Sequence, residues 1–322
     1  MDTNINGGWN MNVLVTGGAG FIGRWVVEKL LAQGHSVTAL DNLSNGRLMN
    51  IDEFRDNPDF LFIEGDIKDR ATLDKVFAGS FDLVYHLAAS INVQDSIDDP
   101  RTTFDNDVTG TFNVLEECRR HGIKMVFMST CMVYERSLDE AGISEVHPVK
   151  PASPYAASKL SGEALTLSYY YAYGLPTVVV RPFNTYGPFQ KSSGEGGVVA
   201  IFIQGDLEGK DLNIYGDGTQ TRDLLYVEDC ADFVIAAGID SRADGQLLNA
   251  GLGRDVSINE LASLICKDKQ RIKHVPHIHP QSEIQKLLCN YDKAQALLDW
   301  QPQVSLEEGI SRTRAWITAL VR

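Results

Sequence analysis

Short apolar runs alternate with helix-length segments through the first half of this chain, and this alternation limits the possible folds more than any other pattern. The apolar runs are rich in β-branched residues and lie at 12–16, 36–40, 60–65, 83–88, 124–130 and 177–182. Segments with helical spacing lie between them, at 21–33, 69–77, 107–121 and 154–172. Strands that are apolar throughout are typical of a parallel sheet covered on both faces, so the pattern predicts an α/β fold with a doubly wound parallel sheet.

After about residue 186 the pattern changes to shorter elements separated by Gly-rich turns such as YGDGTQ and GLGRD. This change predicts a smaller carboxyl-terminal substrate-binding domain that follows a Rossmann domain. We therefore expect a loose leader at 1–10, the Rossmann domain at 11–185 and the smaller domain at 186–322, with part of 223–250 returning to the Rossmann sheet.

Composition excludes several classes of function. A net charge of −14 and a pI near 4.9 argue against nucleic-acid binding, since phosphate backbones require basic patches. No apolar run approaches the roughly 20 residues of a membrane helix, so no membrane contact is expected. The five cysteines lack CxxC spacing, and their odd count without a signal peptide fits a reducing cytoplasm. No metal site is predicted, and His274, His277 and His279 are interpreted as loop residues.

A glycine-rich turn predicts the cofactor site. VLVTGGAGFIG places Gly17, Gly20 and Gly23 directly after a strand and at the start of a helix. Glycine allows close approach of the backbone to a pyrophosphate, and the helix N-terminus supplies N–H donors. Asp41 follows the second strand, where a carboxylate accepts from a ribose 2′-hydroxyl and repels a 2′-phosphate, and Asp66 ends the third strand, placed to reach the adenine. These residues predict NAD rather than NADP.

Tyr155 and Lys159 lie four residues apart on the predicted helix 154–172 and therefore share one face. A lysine ammonium near a phenol lowers the pKa of the phenol, so Tyr155 is predicted to remove a proton from a sugar hydroxyl while a hydride leaves for nicotinamide. Thr130, beside Ser129 at the end of a predicted strand, is placed to hydrogen-bond the same hydroxyl.

Several motifs occur in the order of one known family. They are TGGAGFIG, DNLSNG, GDIKD, YHLAA, NDVTGTFNVLE, a Ser-Thr strand end, YAASK, RPFNTYGP, YGDGTQTRD and LLDWQP. Through them, nearly everything from Met11 onward resembles an extended short-chain dehydrogenase/reductase of the nucleotide-sugar epimerase/dehydratase type. The resemblance implies NAD as cofactor, a nucleotide sugar as substrate, and a homodimer built from helices near 106–120 and 155–172.

The resemblance also implies roles for individual residues. Further cofactor-binding residues would be Phe21, Ile22, Asn42, Ile67, Leu87, Ala88, Ala89 and Asn106, while Arg24 is interpreted as an exposed helix residue. Substrate-binding residues would be Ser90, Met132, Asn184, Val199, Tyr215 and Arg222.

Asn184 and Arg222 would bind the substrate pyrophosphate, because arginine matches phosphate oxygens; the alternative for Arg222 is a salt bridge to Asp223 or Glu228. Many relatives have Arg-Pro-Gly where this chain has Pro-Gln-Ser at 280–282. A second phosphate-binding arginine is therefore missing, and Lys286 is a candidate replacement.

The stretch STCMVYE, residues 129–135, separates the reactions open to this family. In 4,6-dehydratases the corresponding stretch reads Ser-Thr-Asp-Glu-Val-Tyr-Gly, so Cys131 replaces the aspartate, Met132 the glutamate and Glu135 the glycine. Methionine cannot take a proton, whereas a thiol whose pKa is lowered by positive charge acts as acid or base. Glu135 is a second candidate helper, with an exposed loop carboxylate as the alternative.

The predicted reaction is oxidation of a sugar at C4, loss of the C6 hydroxyl as water, and reduction back at C4. The product would be a 5,6-alkene (exo-glycal) of a nucleotide sugar. A resemblance of the Cys-Met replacement to a dehydratase of antibiotic biosynthesis implies UDP-N-acetylglucosamine, while the residues themselves leave the base (uridine, thymidine or guanosine) and the C2 substituent open. A UDP-hexose 4-epimerase in which Cys131 only fills space is the alternative. A conventional 4,6-dehydratase and a non-catalytic NAD-binding regulator are also compatible with the family pattern.

Overall fold

The computed structural model describes residues 10–137, 140–192, 197–276 and 285–321, so most of the expected leader lies outside it. The chain forms two compact units. The first unit contains the described residues up to Val133, with Pro151–Arg181 and Ala231–Leu248. The second unit contains Tyr134–Lys150, Pro182–Cys230 and the described residues from Asn249 onward. Ala231–Leu248 of the first unit lies within the range 223–250 that was expected to return to the Rossmann sheet, whereas Tyr134–Lys150, from the expected Rossmann range, belongs to the second unit.

The strands of the described residues are, in chain order, β1 Asn12–Thr16, β2 Ser36–Asp41, β3 Phe60–Glu64, β4 Leu83–His86, β5 Lys124–Met128, β6 Thr177–Pro182, β7 Asn184–Tyr186, β8 Leu212–Tyr215, β9 Thr221–Tyr226, β10 Leu247–Ala250, β11 Asp255–Ser257 and β12 Ile272–Val275. Seven of them form one sheet in the order β10-β6-β5-β4-β1-β2-β3. The ladders from β6 to β3 are parallel. Because the strand order reverses between β1 and β4, the predicted doubly wound α/β fold is confirmed.

The helices of the described residues are α1 Phe21–Ala32, α2 Arg70–Val76, α3 Val93–Asp98, α4 Pro100–Phe104, α5 Gly110–His121, α6 Pro154–Tyr173, α7 Val198–Leu207, α8 Val227–Ile239, α9 Ile258–Ile265, α10 Asp292–Leu298 and α11 Leu306–Val321. A π-helical turn, Asp105–Thr109, precedes α5 where a continuous α-helix was predicted. Helix α6 has Pro154 in its first turn, and it begins after Ser153, whose hydroxyl accepts from the N–H of Ala156. It ends at Gly174, which has the left-handed conformation common at helix C-termini.

One core cluster of the first unit lies between its sheet and α5. Strands of the sheet bury side chains there: Leu14, Leu40, Val84, Met125, Phe127 and Val179 lie in this cluster with Val114, Leu115 and Cys118 of α5. Full burial of such a side chain stabilises the fold by about 1.5–3 kcal/mol. This packing holds the carboxyl ends of β1, β2, β4 and β5 at one edge of the sheet, where the candidate site lies.

The second unit has a three-stranded sheet, in the order β11-β9-β7, and the pair β12-β8. Its core is a separate apolar cluster to which α7, α9 and α11 contribute, with Phe202, Ile203, Leu261 and Ile310 among its buried residues. Each unit therefore has a core of its own.

Candidate active site

The turn after β1 has room only for glycine at two positions. Gly17 has a φ of 74°, and a Cβ there would lie 2.8 Å from the main-chain nitrogen of Ala88. A Cβ on Gly23 would overlap the main-chain oxygen of Gly17. The turn is further closed by a 3.0 Å hydrogen bond from the N–H of Gly20 to that same oxygen. The result is a bare backbone surface at the N-terminus of α1, whose first turn contains Phe21 and Ile22.

Asp41 connects this turn to the end of β2. Its carboxylate is 7% exposed and accepts hydrogen bonds from the N–H of Ala19, at 3.1 Å, and of Leu43, at 2.8 Å. Burial raises the pKa of Asp41, and these two hydrogen bonds oppose the rise. The carboxylate is thus held in one orientation beside the glycine turn.

Asp66 and Asn42 lie together at the next strand end. The amide of Asn42 donates to Asp66 at 3.1 Å, and the ammonium of Lys68 lies 3.1 Å from the same oxygen. Burial acts to raise the pKa of Asp66, but hydrogen bonds from Lys68 and Asn42 hold it below its usual value. Lys68 also donates to Asn106 at 3.3 Å, so the predicted cofactor residues Asn42, Asp66 and Asn106 are brought together.

The remaining predicted cofactor residues follow β3 and β4. Ile67 is buried, and its side chain lies where a Cβ on Gly110 would be. Leu87 and Ala88 donate through their N–H groups to the main-chain and side-chain oxygens of Thr16, at 3.1 and 3.3 Å, and Ala89 follows them. These contacts fix the loop after β4 beside the glycine turn.

These residues fit a dinucleotide. The bare glycine turn at a helix N-terminus suits a pyrophosphate, and the held carboxylate of Asp41 suits a ribose hydroxyl. An anionic group at that position disfavours a 2′-phosphate.

Arg24 is buried, so the prediction that it is an exposed helix residue is wrong. It is only 3% exposed rather than a surface residue. Its guanidinium pairs with Glu28 and Glu53, and it lies 4.4 Å from the ring centre of Trp25 and 5.3 Å from that of Phe54. Ion pairing and stacking on two aromatic rings let the charge be buried, which local helical spacing cannot indicate.

Helix α6 brings Tyr155 to the end of β5. The phenol is 8% exposed and hydrogen-bonded to the hydroxyl of Thr130. Burial raises the pKa of Tyr155, as does the negative charge of Asp107, and the hydrogen bond with Thr130 opposes the rise. The sequence predicted a pKa lowered by Lys159; the difference arises because burial outweighs the other influences on this phenol.

Lys159 lies one turn further along α6 and is 3% exposed. Its ammonium donates to the main-chain oxygen of Met128 at 2.9 Å and lies 5.1 Å from the ring centre of Phe127. Burial lowers the pKa of Lys159, while the carboxylates of Asp107 and Glu163 oppose that effect. Lys159 therefore joins α6 to the last residue of β5.

A buried ion pair behind this strand end was not predicted from the sequence. The carboxylate of Glu163 accepts hydrogen bonds from the hydroxyl of Ser129 and from the guanidinium of Arg181, whose Nε lies 2.7 Å away. Both charged side chains are at most 4% exposed. Since Glu163 follows Lys159 by four residues and Tyr155 by eight, helical spacing was the one signal for it. Ser129 is thus held by Glu163.

Asp107 was also not predicted, although its neighbour Asn106 was. Its side chain is buried against α6, where its carboxylate accepts from the hydroxyl of Ser158 at 3.0 Å. The N–H of the predicted substrate residue Ser90 donates to the other oxygen at 2.6 Å. An acidic residue inside an otherwise helical pattern was the only signal for it.

Cys131 and Met132 begin a 3-10 turn directly after Thr130. Cys131 is 2% exposed, and negative charge on its sulfur is the smallest of the influences that raise the pKa of Tyr155, after burial and Asp107. Met132 is half-buried, and its N–H donates to the hydroxyl of Thr130 at 3.2 Å. The structure therefore brings Tyr155, Thr130 and Cys131 together.

Glu135 lies in the second unit and is ion-paired with Lys150 at 3.1 Å. Its side chain is 42% exposed, which agrees with the exposed loop carboxylate that the sequence left open for it.

The predicted pyrophosphate-binding residues also lie in the second unit. Asn184 begins β7, and its side-chain oxygen is buried with no hydrogen-bond partner among the described residues. Arg222 lies on β9 and donates to the main-chain oxygen of Thr221 at 2.7 Å. Asp223 accepts from the N–H groups of Leu252, Gly253 and Cys289, while Glu228 lies 3.6 Å from Arg312. Both carboxylates considered as partners of Arg222 thus have other donors.

Three further predictions concern the second unit. Val199 is buried in its apolar core, whereas Tyr215 is 44% exposed at the end of β8. Lys286 lies 3.0 Å from Glu140. Residues 280–282, and with them His277 and His279, lie outside the described residues. His274 lies on β12 and not in a loop, because its segment pairs with β8, so that prediction is wrong; its ring contacts the side-chain oxygen of Asn259 at 2.9 Å.

The described part of the chain lacks two features. Within it, no group of three or more His, Cys, Asp or Glu side chains is arranged to hold a metal ion. Nor does any helix there have the length and apolar character needed to cross a membrane.

Comparison with known proteins gives consistent results. The sequence model of the NAD dependent epimerase/dehydratase family matches residues 13–251. A UDP-glucose 4-epimerase of Mycolicibacterium smegmatis is 38% identical over 306 residues, which cover 94% of this chain and 97% of that protein. Other homologues are nucleotide-sugar dehydratases and decarboxylases.

Solved structures are similar over almost the whole chain. The X-ray structure of Pal from Bacillus thuringiensis is 63% identical, with a TM-score of 0.94, and the match covers 96% of this chain and 100% of the other. A UDP-glucose 4-epimerase from Thermotoga maritima, solved with UDP-glucose, is 35% identical with a TM-score of 0.91, covering 97% and 100%.

Proposed function

Because the chain belongs to the NAD-dependent epimerase/dehydratase family, we propose that it is a nucleotide-sugar dehydratase acting on UDP-N-acetylglucosamine. The reaction oxidises C4, eliminates water across C5 and C6, and restores the alcohol at C4. The net change is loss of one water to give the 5,6-alkene, and the oxidation state of the cofactor is the same before and after. The observation that carries this proposal is the place of Cys131: it directly follows Thr130, whose hydroxyl binds the Tyr155 phenol, and it precedes a methionine where relatives that form 4-keto sugars have a base.

NAD is the cofactor of this enzyme family, and when bound it supplies hydride acceptor and donor chemistry at C4. We assign the pyrophosphate to the turn of Gly17, Gly20 and Gly23, and the adenosine ribose to Asp41. Asp66 and Asn42 are assigned to the adenine.

Tyr155 is proposed to take the proton of the C4 hydroxyl during oxidation and to return it when C4 is reduced. Thr130 already binds the phenol and is the second group assigned to that hydroxyl. Oxidation gives a ketone at C4, which makes the hydrogen on C5 acidic. Because the phenol's pKa is raised by burial, the neighbouring ammonium of Lys159 and the positive charge of oxidised nicotinamide are the influences that favour the phenolate.

Cys131 is proposed to move the proton in the elimination. As thiolate it takes the hydrogen from C5, the C5–C6 double bond forms, and the C6–O bond breaks. The thiol then gives the same proton to the departing hydroxide, which leaves as water. The thiolate is regenerated, so the step balances without another co-reactant.

Met132 explains why the alkene is the product. Conversion of the alkene to a 6-deoxy-4-keto sugar requires a group that returns a proton to C5 while hydride adds at C6. The thioether of Met132 carries no proton, so the alkene is not converted to the 6-deoxy-4-keto sugar. The ketone at C4 is reduced instead, and the alkene is kept in the product. This replacement resembles that of TunA, the UDP-N-acetylglucosamine 5,6-dehydratase of tunicamycin biosynthesis, and supports a role of the same type in antibiotic biosynthesis.

Substrate recognition is assigned mainly to the second unit. Arg222 and the buried side-chain amide of Asn184 are proposed to bind the nucleotide pyrophosphate. Val199 and Tyr215 are further candidates there, as are Ser90 and Met132 in the first unit. The Mycolicibacterium and Thermotoga relatives named for UDP-glucose chemistry favour a uridine nucleotide over a thymidine or guanosine nucleotide.

The protein is proposed to form a homodimer through the exposed side of α5 and α6, the helices that the family resemblance implies. Phe112 of α5 is 41% exposed, and Tyr171 and Tyr173 of α6 are 75% and 60% exposed. Large apolar side chains exposed together are typical of an interface between subunits.

A 4-epimerase is the second candidate function, favoured by the relatives named as epimerases. The two functions are separated by incubating the enzyme with NAD and UDP-N-acetylglucosamine and analysing the product by mass and proton NMR. Loss of one water with two vinylic C6 protons supports the 5,6-dehydratase. A product of unchanged mass, epimeric at C4, overturns it.

The same spectrum also detects a conventional 4,6-dehydratase and a non-catalytic regulator. A methyl doublet from C6 with loss of one water identifies the 4,6-dehydratase. NAD binding without turnover of any nucleotide sugar identifies the regulator.

A further inference from the structure

We propose that Asp107 is a positioning residue for the C4 chemistry: its buried carboxylate balances the charge of Lys159 and determines the pH range over which Tyr155 acts as base. The inference rests on the proposed function in one respect, namely that Tyr155 is that base.

Three hydrogen bonds fix the orientation of the buried carboxylate of Asp107. The side chain is 1% exposed. One oxygen accepts from the N–H of Ser90 at 2.6 Å and from the amide of Asn106 at 3.3 Å. The other accepts from the hydroxyl of Ser158 at 3.0 Å. Within the described residues all three donors are neutral, so no cation binds this carboxylate directly.

A π-helical turn presents the carboxylate to α6. Asp107 is the central residue of the turn Asp105–Thr109, and its main-chain oxygen accepts from the hydroxyl of Thr111 at 2.5 Å. Such turns disturb the regular α-helical spacing and occur frequently at functional sites. Ser158, whose hydroxyl donates to the carboxylate, lies directly before Lys159. The same hydroxyl also lies 2.8 Å from the main-chain oxygen of Tyr155, to which it donates.

The charges around Lys159 give Asp107 its role. The ammonium is buried and donates to the neutral oxygen of Met128, so burial alone favours loss of its proton. Of the two carboxylates that oppose this, Glu163 is already bound by Arg181 and Ser129. Asp107 is therefore the carboxylate whose charge is available to Lys159.

The negative charge of Asp107 also acts on the phenol of Tyr155. A negative group beside a phenol favours the neutral phenol, so Asp107 raises the pKa of Tyr155. It also raises the pKa of Lys159 by favouring the ammonium. Removing the charge is therefore expected to lower both pKa values.

The other titratable groups near Asp107 do not replace it. Burial lowers the pKa of His86 on β4 to about 3, so this imidazole is neutral, and it contacts Thr111 at 3.0 Å. Arg101, the charged residue of α4, is exposed, and Glu117 of α5 pairs with Arg120 at 2.7 Å. Burial raises the pKa of Asp107 itself, opposed by Lys159 and by the hydrogen bonds from Ser90, Ser158 and Asn106.

The test is Asp107→Asn, which removes the charge and keeps the shape. The asparagine side-chain oxygen still accepts from the N–H of Ser90, and its amide donates to the hydroxyl oxygen of Ser158. The Ser158 hydroxyl then donates only to the main-chain oxygen of Tyr155. With NAD-loaded enzyme, kcat/KM for consumption of UDP-N-acetylglucosamine is measured across pH. Both limbs of the profile are expected to move to lower pH by about one unit, because the negative charge that favours the protonated phenol and the protonated ammonium is removed.

The control is Ser158→Ala, which removes a hydrogen bond of the same carboxylate without changing any charge. Its limbs are expected to move much less than those of Asp107→Asn, because the carboxylate remains in place. If Asp107→Asn loses activity while its limbs stay in place, the residue has a structural role only and the proposal is overturned. Should that variant fail to fold, Asp107→Glu and Asp107→Gln are compared; coincident limbs for these two overturn the proposal.

A second measurement keeps this result separate from the identity of the product. Ionisation of Tyr155 is followed by tyrosinate absorbance, with Tyr155→Phe as the blank, in wild type and Asp107→Asn. A C4 epimer as product overturns the proposed function and leaves the shift measurable. The 5,6-alkene as product with an unshifted tyrosinate titration overturns the role of Asp107 alone.

Discussion

The ammonium of Lys159 donates a 2.9 Å hydrogen bond to the main-chain oxygen of Met128, the last residue of β5. This bond ties the helix that carries Tyr155 to the strand end from which Ser129, Thr130 and Cys131 follow. Helix α6 and the end of β5, which are distant in sequence, are thereby fixed relative to each other. The arrangement of the Tyr155 phenol, the Thr130 hydroxyl and the Cys131 thiol depends on this bond.

Tyr155→Phe is expected to lower turnover of UDP-N-acetylglucosamine by about 10²–10⁴-fold, because the ring remains but its proton-accepting oxygen is lost. Turnover is measured by disappearance of the nucleotide sugar, with NAD binding followed by fluorescence. The matched control is Tyr171→Phe on the same helix, an exposed phenol for which wild-type turnover is expected. Retained turnover in Tyr155→Phe would remove this residue from the mechanism.

Cys131→Ala is expected to lower dehydration by about 10²–10⁴-fold, since the group that moves the C5 proton is lost. C4 oxidation should persist, and it is measured by the absorbance of reduced NAD in a single turnover. Cys118→Ala removes a buried thiol from the core beneath the sheet and should leave dehydration near wild type. Dehydration at the wild-type rate in Cys131→Ala would show that the thiol only fills space.

The double variant Cys131→Asp, Met132→Glu restores the two carboxylates of the 4,6-dehydratase pattern. We expect part of the product to become a 6-deoxy-4-keto sugar, because a glutamate can return a proton to C5. Proton NMR distinguishes the C6 methyl group of that product from the vinylic protons of the alkene. Cys131→Asp alone is the control, and the appearance of the methyl group in it would contradict the role given to position 132.

Gly23→Ala is expected to destabilise the first unit by about 1–3 kcal/mol, the usual cost of overpacking, because a Cβ there overlaps the oxygen of Gly17. NAD affinity should fall as the turn is displaced. Gly20→Ala, whose Cβ would lie 3.0 Å from the same oxygen, should show the smaller effect. Calorimetric titration with NAD and thermal denaturation measure the two quantities; equal affinities in all three proteins would argue against a cofactor turn.

Glu163→Gln is expected to lower the free energy of unfolding by about 3–5 kcal/mol, because it leaves the buried guanidinium of Arg181 without its carboxylate. Glu135→Gln removes one partner of an exposed ion pair and should cost about 0–1 kcal/mol. Urea denaturation of both variants makes the comparison. Similar small losses in the two would mean that Glu163 does not hold the strand end.

The features of the fold that were predicted from the sequence are those that depend on the spacing of nearby residues. Six of the seven strands of the large sheet begin where predicted, since runs such as 12–16 and 177–182 are apolar throughout; no start was predicted for β10. The turn of Gly17 and Gly23 was found because steric exclusion of Cβ leaves glycine at fixed spacing. The pair of Tyr155 and Lys159 was found because four residues are close to one helical turn.

The residues that were missed depend on contacts between distant segments. Asp107 meets Ser158 across 51 positions, and the ammonium of Lys159 meets Met128 across 31. Arg24 was placed on the surface because its partner Glu53 lies on another element. No local pattern reports such pairs, so the spacing of residues could not distinguish a buried charge from an exposed one.

Local spacing and side-chain chemistry are enough to specify the doubly wound fold, the glycine turn that is proposed to bind NAD, and the chemical groups that STCMVYE offers. Which ionisable groups are buried, and which of them face one another, follows from tertiary packing alone. Desolvation and charge–charge contacts arise from that three-dimensional packing, and they set the pKa of Tyr155 in the direction opposite to the one its helix spacing predicted.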